Sequence, residues 1–203
     1  MIITISREYG AAGRAVVNGL AERLGYRLLD EDLPVAVAAR LGTSPEAVDA
    51  IEYQKVGFGQ RLLRTFSAAV PEAFAPTSEL DDLHAATRRE IDRLIHEAAD
   101  ADNVIVVGRL GNVLLRDRPN VLRVFLTAPL TWRIDHVIVS LGCTEAVARA
   151  EIARVDGGRR HYAREQYDFD WGDPHYYDLV LDVSRFGVEG AVALIDAARG
   201  HHG

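Results

Sequence analysis

The chain has 203 residues, of which 48% are hydrophobic and 26% charged, so it can bury one sizeable core in a single domain. Its formal net charge of −7 argues against a general binder of nucleic acid or anionic membranes, because such partners favour excess lysine and arginine. Cys143 is the single cysteine, which excludes an internal disulfide, and the apolar start is too short for a signal peptide. We therefore expect a soluble cytoplasmic protein without a membrane span, in which any anion site is local.

Short segments rich in Val, Ile and Leu alternate with segments of helical periodicity, which predicts a mostly parallel sheet flanked by helices. The predicted strands are Ile2–Ser6, Tyr26–Leu29, Asn103–Val107, Val121–Leu126 and Tyr177–Val183. The predicted helices are Arg14–Leu24, Leu33–Leu41, Pro45–Tyr53, Glu79–Asp100, Gly111–Arg116, Leu130–Leu141, Thr144–Glu165 and Val188–Ala198. The irregular segment Gln54–Thr77 is interpreted as a mobile helix and loop over the sheet.

The first fifteen residues run from an apolar strand through a glycine loop into a helix, which is the layout of a phosphate-binding loop. Laid over G-x-x-x-x-G-K-[ST] from Glu8, the sequence has Gly13 at the second glycine, Arg14 at the lysine and Ala15 at the magnesium-binding hydroxyl. Lys55 is the only lysine of the chain, so no lysine lies near this loop in sequence. The alternative is an ordinary tight turn between a strand and a helix.

The predicted strand Asn103–Val107 is followed by Gly108 and Arg109. Ligands of open α/β sheets bind at the carboxyl edge of the strands, so Arg109 would face the same crevice as the glycine loop. A single arginine at the end of a strand is common. A functional role for Arg109 is indicated only because the glycine loop is predicted at the same edge of the sheet.

An arginine-rich segment follows over residues 149–164, in which Gly157 and Gly158 offer a place to bend. Grouped arginines can hold a phosphate bidentately and neutralise the charge that develops during phosphoryl transfer. The alternative is a solvated helix face paired with acidic neighbours. The arginines are Arg149, Arg154, Arg159, Arg160 and Arg164.

The segment Asp170-Trp-Gly-Asp-Pro174 predicts a rigid polar turn before the last strand. The simpler interpretation is that Trp171 and Tyr176 anchor this turn to the core.

Together these pieces resemble the cytidylate kinase-like proteins, which are relatives of the P-loop nucleoside monophosphate kinases. The resemblance covers nearly the whole chain and implies a P-loop NTPase-type three-layer αβα sandwich with a mostly parallel five-stranded sheet and a helical lid. It implies one domain over residues 1–203, with a lid-like insertion over residues 144–174. The motifs that carry it are Ile3–Arg14, Leu28–Asp30, Val106–Arg109, Arg123–Pro129 with Arg133, and the stretch from Asp156 to Gly187.

The resemblance also implies roles for particular residues. Arg14 would replace the lysine of the loop, Asp30 and Arg109 would bind the acceptor, and Leu110 stands where the family's Gly-Arg-Asp motif has aspartate. The lid arginines would be Arg154, Arg159 and Arg160, acting with Arg14 on the transferred phosphoryl group. The donor phosphates would be wrapped by Tyr9, Gly10, Ala11, Ala12, Gly13 and Arg14. No metal site made by protein side chains is predicted, since Mg²⁺ would be held mainly by phosphates and water, with Ser6 or Asp30 as candidate ligands.

The leading hypothesis is transfer of the ATP γ-phosphoryl group to CMP, dCMP or a similar phosphorylated acceptor. The competing hypothesis is a catalytically weak or inactive nucleotide-binding regulatory protein, since the loop and Gly-Arg-Asp motifs are degenerate. A non-nucleotide phosphoacceptor is a third alternative. The expected partners are nucleotides, and neither nucleic acid nor a membrane is expected to bind. Helix Glu79–Asp100 is expected to pack on the sheet, with a homodimer interface as the alternative.

Overall fold

The computed structural model describes residues 1–30, 32–45, 48 and 78–201. The chain divides into two compact units, residues 1–30 with 95–203 and residues 31–94, and each is described by itself. The predicted loop Gln54–Thr77 and most of the predicted helix Pro45–Tyr53 lie outside the described residues. No helix in the described part of the chain is both long and apolar enough to cross a membrane.

The described elements follow the predicted alternation of strands and helices. In chain order they are β1 Ile2–Arg7, α1 Gly13–Leu24, β2 Arg27–Leu29, α2 Asp32–Leu41, α3 Ser78–Asp100, β3 Val104–Val107, α4 Gly111–Leu114, β4 Val121–Thr127, α5 Leu130–Leu141, α6 Glu145–Tyr167, a 3-10 turn Pro174–Tyr176, β5 Leu179–Asp182 and α7 Val183–His201.

The predicted bounds of the last strand were wrong, because β5 spans Leu179–Asp182 and Val183 begins α7. Helix α7 is interrupted at Gly187, whose φ of 66° is not helical, just before the predicted helix start at Val188. Helix α6 runs continuously from Glu145 to Tyr167 through Gly157 and Gly158, where the sequence offers a place to bend. Gly158 is buried, and packing against neighbouring elements therefore offsets the low helix propensity of glycine.

The five strands form a parallel sheet in the order β2-β3-β1-β4-β5. Strand β1 is central, with β3 on one side and β4 on the other. Since the chain crosses β1 between β3 and β4, the direction of winding changes at β1. Such a switch point opens a crevice at the carboxyl ends of the strands, which is where Arg7 ends β1 and Gly108 follows β3.

Helices cover both faces of this sheet, which gives three layers. On one face of the sheet, Ile3 and Ile5 of β1 pack against helices α1 and α7 in the main hydrophobic cluster. On the other face Phe125 of β4 packs with Trp171 and with Ala163 of α6. Strands buried on both faces are rich in Val, Ile and Leu, which is why β1, β3 and β4 are readily recognised in the sequence.

In the second unit, Leu33 and Val37 of α2 are buried. Arg40 of α2 donates to Glu90 of α3 with a nitrogen–oxygen distance of 2.7 Å.

Candidate functional site

The glycine loop between β1 and α1 has a backbone conformation that requires glycine at position 10. Gly10 has a φ of 82°, and a Cβ built on it would lie 2.9 Å from the Arg133 carbonyl oxygen and 2.9 Å from Val137 Cγ2. Both the positive φ and the close approach of α5 therefore require glycine. Ala12 is also left-handed, with φ 52° and ψ 24°, and directly precedes the first helical residue, Gly13.

Helix α1 begins without a side-chain cap. Among the described residues, the backbone N–H groups of Gly10, Ala12 and Gly13 donate to no protein acceptor, whereas the N–H of Ala11 donates to the Glu8 carbonyl oxygen. Unpaired N–H groups at a helix N-terminus carry partial positive charge and bind anions.

The loop is fastened by two carboxylates, that of Asp156 on α6 and that of Glu8 in the loop itself. The backbone N–H of Tyr9 donates to Asp156 Oδ1 at 2.9 Å, and Arg133 donates to Asp156 Oδ2 at 2.7 Å and to the Tyr9 carbonyl oxygen at 3.1 Å. Glu8 accepts from the Thr127 hydroxyl at 2.5 Å and lies 3.4 Å from Arg133. Asp156 is only 2% exposed, so this is a buried ion pair at the base of the loop.

Arg7 lies at the centre of the crevice. Its guanidinium is 3.7 Å from Asp30, and its carbonyl oxygen accepts a hydrogen bond of 2.7 Å from Arg159. Burial lowers the pKa of Arg7 to about 10, with further lowering by Arg159, Arg109 and Arg14 and an opposing effect of Asp30. Guanidinium groups from α1, the end of β3 and α6 therefore all act on Arg7 at the carboxyl edge of the sheet.

The predicted site residues act on two residues of this region, Arg7 and Tyr9. Asp30, Arg14, Arg109 and Arg159 all act electrostatically on Arg7. Arg154 pairs with Glu151 on α6 at 2.6 Å and, like Arg159, acts electrostatically on Tyr9 of the loop. The predicted loop residues, from Tyr9 to Arg14, lie between β1 and the first turn of α1.

The arginines of α6 are partly oriented by the turn that follows it. The guanidinium carbon of Arg160 lies 5.6 Å from the centre of the Trp171 ring, and that of Arg159 lies 6.0 Å from it. Trp171 is buried in the aromatic cluster, where Tyr177 donates to its carbonyl oxygen at 2.8 Å. Trp171 therefore anchors the turn to the core, as the simpler interpretation proposed, while Tyr176 is 45% exposed.

Leu110, which the resemblance places at the aspartate of the Gly-Arg-Asp motif, packs in the same aromatic cluster.

Sequence reasoning missed three members of the site: Arg7, Arg133 and Asp156 in these roles. In the sequence, Arg133 and Asp156 are named only as parts of the motifs that carry the resemblance. Arg7 could have been recognised as a site residue, because it is a charged residue at the end of a buried strand and directly before the glycine loop.

The residues at this crevice fit a Mg²⁺ ion that is bound mainly by the phosphates of a substrate and by water. In the described part of the chain, no group of three His, Cys, Asp or Glu side chains could hold a metal ion. Mg²⁺ bound through substrate phosphates, water and one carboxylate needs no such cage. The carboxylate of Asp30 stands at the crevice and suits that limited role.

The sequence model of the cytidylate kinase-like family matches residues 2–185. This chain belongs to that family. Among relatives of this cytidylate kinase-like protein, cytidylate kinase of Pyrococcus abyssi is 32% identical over 120 residues, which are 59% of this chain and 65% of the relative. Cytidylate kinase of Halorubrum lacusprofundi is 27% identical over 203 residues, covering 97% of this chain and 90% of the relative. The match thus spans less than two thirds of the Pyrococcus protein.

Solved structures support the fold of this cytidylate kinase-like protein. A protein of Eubacterium ventriosum described as uncharacterized has a TM-score of 0.71 at 20% identity, over 98% of both chains. Shikimate kinase from Bacteroides thetaiotaomicron has a TM-score of 0.54 at 12% identity, over 98% of this chain and 97% of that one. The predicted fold class, a P-loop NTPase-type αβα sandwich with a five-stranded parallel sheet, is confirmed.

Proposed function

We propose that this protein is a phosphotransferase that moves the γ-phosphoryl group of ATP to a nucleoside monophosphate, with CMP and dCMP as the first candidates. The observation that carries the proposal is the convergence of Arg7, Arg14, Arg109 and Arg159 beside the uncapped N-terminus of α1. Family membership supports the choice of donor and acceptor class.

The charge arrangement favours a highly charged anion. Burial is the main cause of the lowered pKa of Arg7, and the nearby arginines lower it further because like charges disfavour each other's charged form. A bound triphosphate removes the repulsion and adds charge-assisted hydrogen bonds, which are about twice as strong as neutral ones. The N–H groups of Gly10, Ala12 and Gly13 add donors on the loop side.

Phosphoryl transfer asks for positioning and charge neutralisation more than for covalent chemistry by the protein. An oxygen of the acceptor phosphate attacks the γ-phosphorus, the bond from that phosphorus to the β,γ-bridging oxygen breaks, and its electron pair leaves with ADP. The attacking oxygen is already anionic, so no side chain has to remove a proton. When bound, Mg²⁺ neutralises part of the phosphate charge.

Each group is proposed for one part of the reaction. The loop from Tyr9 to Arg14 holds the donor phosphates, Asp30 and Arg109 hold the acceptor, and Arg159 stabilises the group in transfer. Arg154 and Arg160 are proposed to join Arg159 when residues 144–174 act as a lid on the domain of residues 1–203. We further propose that the protein works in the cytoplasm.

Two observations favour a second candidate, a nucleotide-binding regulatory protein without turnover. Ala15 has no hydroxyl for a metal ion, and Leu110 packs among aromatic rings instead of facing an acceptor. Loss of a hundredfold to a thousandfold in rate, about 3–4 kcal/mol, would leave a slow enzyme, so these features weaken the first candidate without removing it.

The test is ADP formation by the full chain with ATP, Mg²⁺ and a panel of nucleoside monophosphates, beside calorimetric titration with ATP. Arg109→Ala should raise the KM for the acceptor about 10- to 100-fold and leave the KM for ATP nearly unchanged. Arg27→Ala is the matched control, because Arg27 is an exposed strand arginine at the opposite edge of the sheet. ATP binding without turnover of any acceptor would favour the regulatory protein.

A further inference from the structure

The side chain of Arg7 occupies the space that Gly13 leaves open. A Cβ built on Gly13 would lie 2.9 Å from Arg7 Cδ, 3.0 Å from its Cγ and 3.2 Å from its Cβ. At the other end of the same side chain, a Cβ built on Gly108 would lie 3.1 Å from Arg7 Nη1. The arginine therefore runs along the carboxyl edge of the sheet, from β1 past the start of α1 to the residue that follows β3.

The backbone of the loop indicates how the sequence should be laid over the phosphate-binding motif. The left-handed residue before α1 is Ala12, and Gly13 is already the first helical residue. A left-handed position is the one for which a motif keeps glycine. Starting the motif at Arg7 rather than Glu8 puts Ala12 at its second glycine, Gly13 at its lysine and Arg14 at its hydroxyl.

In this register two departures from the motif compensate for each other. The first glycine has become Arg7, and the lysine has become Gly13, whose missing side chain makes room for the arginine. We propose that Arg7 supplies, from the end of β1, the positive charge on the donor phosphates that the lysine of a phosphate-binding loop supplies from the start of the helix. The inference rests on the proposed function and assigns the lysine's role to Arg7 in place of Arg14.

The positions of the two arginines support this assignment. Arg14 is exposed on the first turn of α1, whereas the side chain of Arg7 is 23% exposed and lies between Gly13, Gly108 and Asp30. Arg159 fixes the backbone of Arg7 by donating to its carbonyl oxygen. The Arg7 side chain, packed beside Gly13 and Gly108, has little rotamer freedom left to lose when an anion binds.

Most of the charged groups that act on Arg7 are positive. Arg14, Arg109 and Arg159 oppose its charge, and Asp30 favours it from 3.7 Å. A cation that is partly buried among other cations raises the free energy of the unliganded protein, and an anion that binds there relieves this cost. Replacement of Arg7 by an uncharged side chain of similar length should therefore weaken ligand binding without weakening the fold.

The first experiment measures ATP affinity by calorimetry, phosphotransfer, and thermal unfolding for Arg7→Met and Arg7→Lys, with Arg27→Met as the matched control. Arg7→Met should weaken ATP binding at least about tenfold and lower kcat about 100-fold, with an unchanged or higher Tm in the absence of ligand. Arg7→Lys should recover part of both, and Arg27→Met should match the original protein. An Arg7→Met protein with original ATP affinity and kcat overturns the inference.

The second experiment tests whether the Arg7 side chain needs the space beside Gly13. Gly13→Ala puts a Cβ where the Arg7 side chain lies and should lower ATP affinity, but the same change should have little further effect in an Arg7→Gly background, which has no side chain there. Arg7→Gly combined with Gly13→Lys restores the usual arrangement and should bind ATP at least about tenfold more tightly than Arg7→Gly alone. Equal affinities of these two proteins, or an equal effect of Gly13→Ala in both backgrounds, contradict the inference.

These outcomes separate the two proposals. If the original protein binds ATP but transfers nothing, the proposed transfer fails, and the affinities still test Arg7. If the protein is active and the Arg7 variants behave like the original, the role of Arg7 fails and the proposed function stands. If the original protein does not bind ATP, both are wrong.

Discussion

Asp156 of α6 accepts a hydrogen bond from the backbone N–H of Tyr9, with the nitrogen and oxygen 2.9 Å apart. The same carboxylate accepts from Arg133 of α5, so one buried group joins the loop to two helices. The loop that we propose to bind phosphate is therefore held in place by residues far from it in the sequence.

Asp156→Ala should lower the free energy of unfolding by about 3 kcal/mol, because it leaves Arg133 buried without this partner. For a chain of this size the Tm should fall by about 6–12 °C. The control is Glu145→Ala, which removes the exposed partner of Arg149 on the same helix and should cost about 0.5 kcal/mol or less. Urea unfolding of the two variants measures the difference, and similar losses would show that the buried pair has no special weight.

Gly10→Ala tests whether the loop needs the close approach of α5. Its Cβ would meet the Arg133 carbonyl oxygen and Val137 Cγ2, each at 2.9 Å, in addition to the cost of a positive φ. Gly25→Ala is the matched control, since Gly25 has a φ of 66° and nothing within 4 Å of a built Cβ.

We expect Gly25→Ala to cost about 1 kcal/mol and Gly10→Ala at least about 2 kcal/mol, with weaker ATP binding only for Gly10→Ala. Equal losses of stability and unchanged ATP affinity in both variants would mean that the loop adapts to a side chain at Gly10.

Much of this architecture follows from the sequence. Strands buried on both faces are recognisable from continuous apolar runs such as Val104–Val107, and the order of strands and helices predicts a parallel sheet. The position of Arg109 could be predicted too, because a residue that follows a parallel strand must lie at the carboxyl edge.

The contacts that shape the site could not be predicted in the same way. Asp156 and Tyr9 are 147 residues apart, and nothing local shows that this aspartate of the arginine run turns inward. The run itself has helical spacing, yet Arg154 pairs with Glu151, Arg160 lies over Trp171, and Arg159 reaches the backbone of Arg7. Which arginine reaches the crevice depends on how α6 is rotated against α5 and the sheet, which is a matter of packing.

Tripolyphosphate should stabilise the protein if the crevice binds the phosphate chain of a nucleotide. At a free concentration of 100 times its Kd, it should add about 2.7 kcal/mol and raise the Tm by about 5–10 °C. Arg14→Ala and Arg109→Ala should reduce this shift at a fixed concentration, and Arg27→Ala should not. The measurement is thermal unfolding with and without the anion, and equal shifts in all four proteins would place the bound anion elsewhere.

Tyr177 links the stability of the aromatic cluster to pH. Burial raises the pKa of Tyr177 to about 12, from an ordinary value of 10.0. Its hydroxyl donates to the Trp171 carbonyl oxygen at 2.8 Å, and its ring packs against Phe125. Tyr177→Phe should therefore cost about 1 kcal/mol at pH 7, where the hydrogen bond is lost and the ring contacts remain.

At alkaline pH the order should change. The pKa is raised in the folded protein, so above pH 10 the unfolded chain loses the phenol proton first, and the stabilisation by Tyr177 is lost as the pH rises from about 10 towards 12. At pH 11 that loss is about 1.4 kcal/mol for the original protein and zero for Tyr177→Phe. Urea unfolding at pH 7 and pH 11 should show the variant about 1 kcal/mol less stable at the lower pH and at least as stable at the higher. A deficit that stays constant between the two would mean that the Tyr177 hydroxyl ionises as easily in the folded protein as in the unfolded chain.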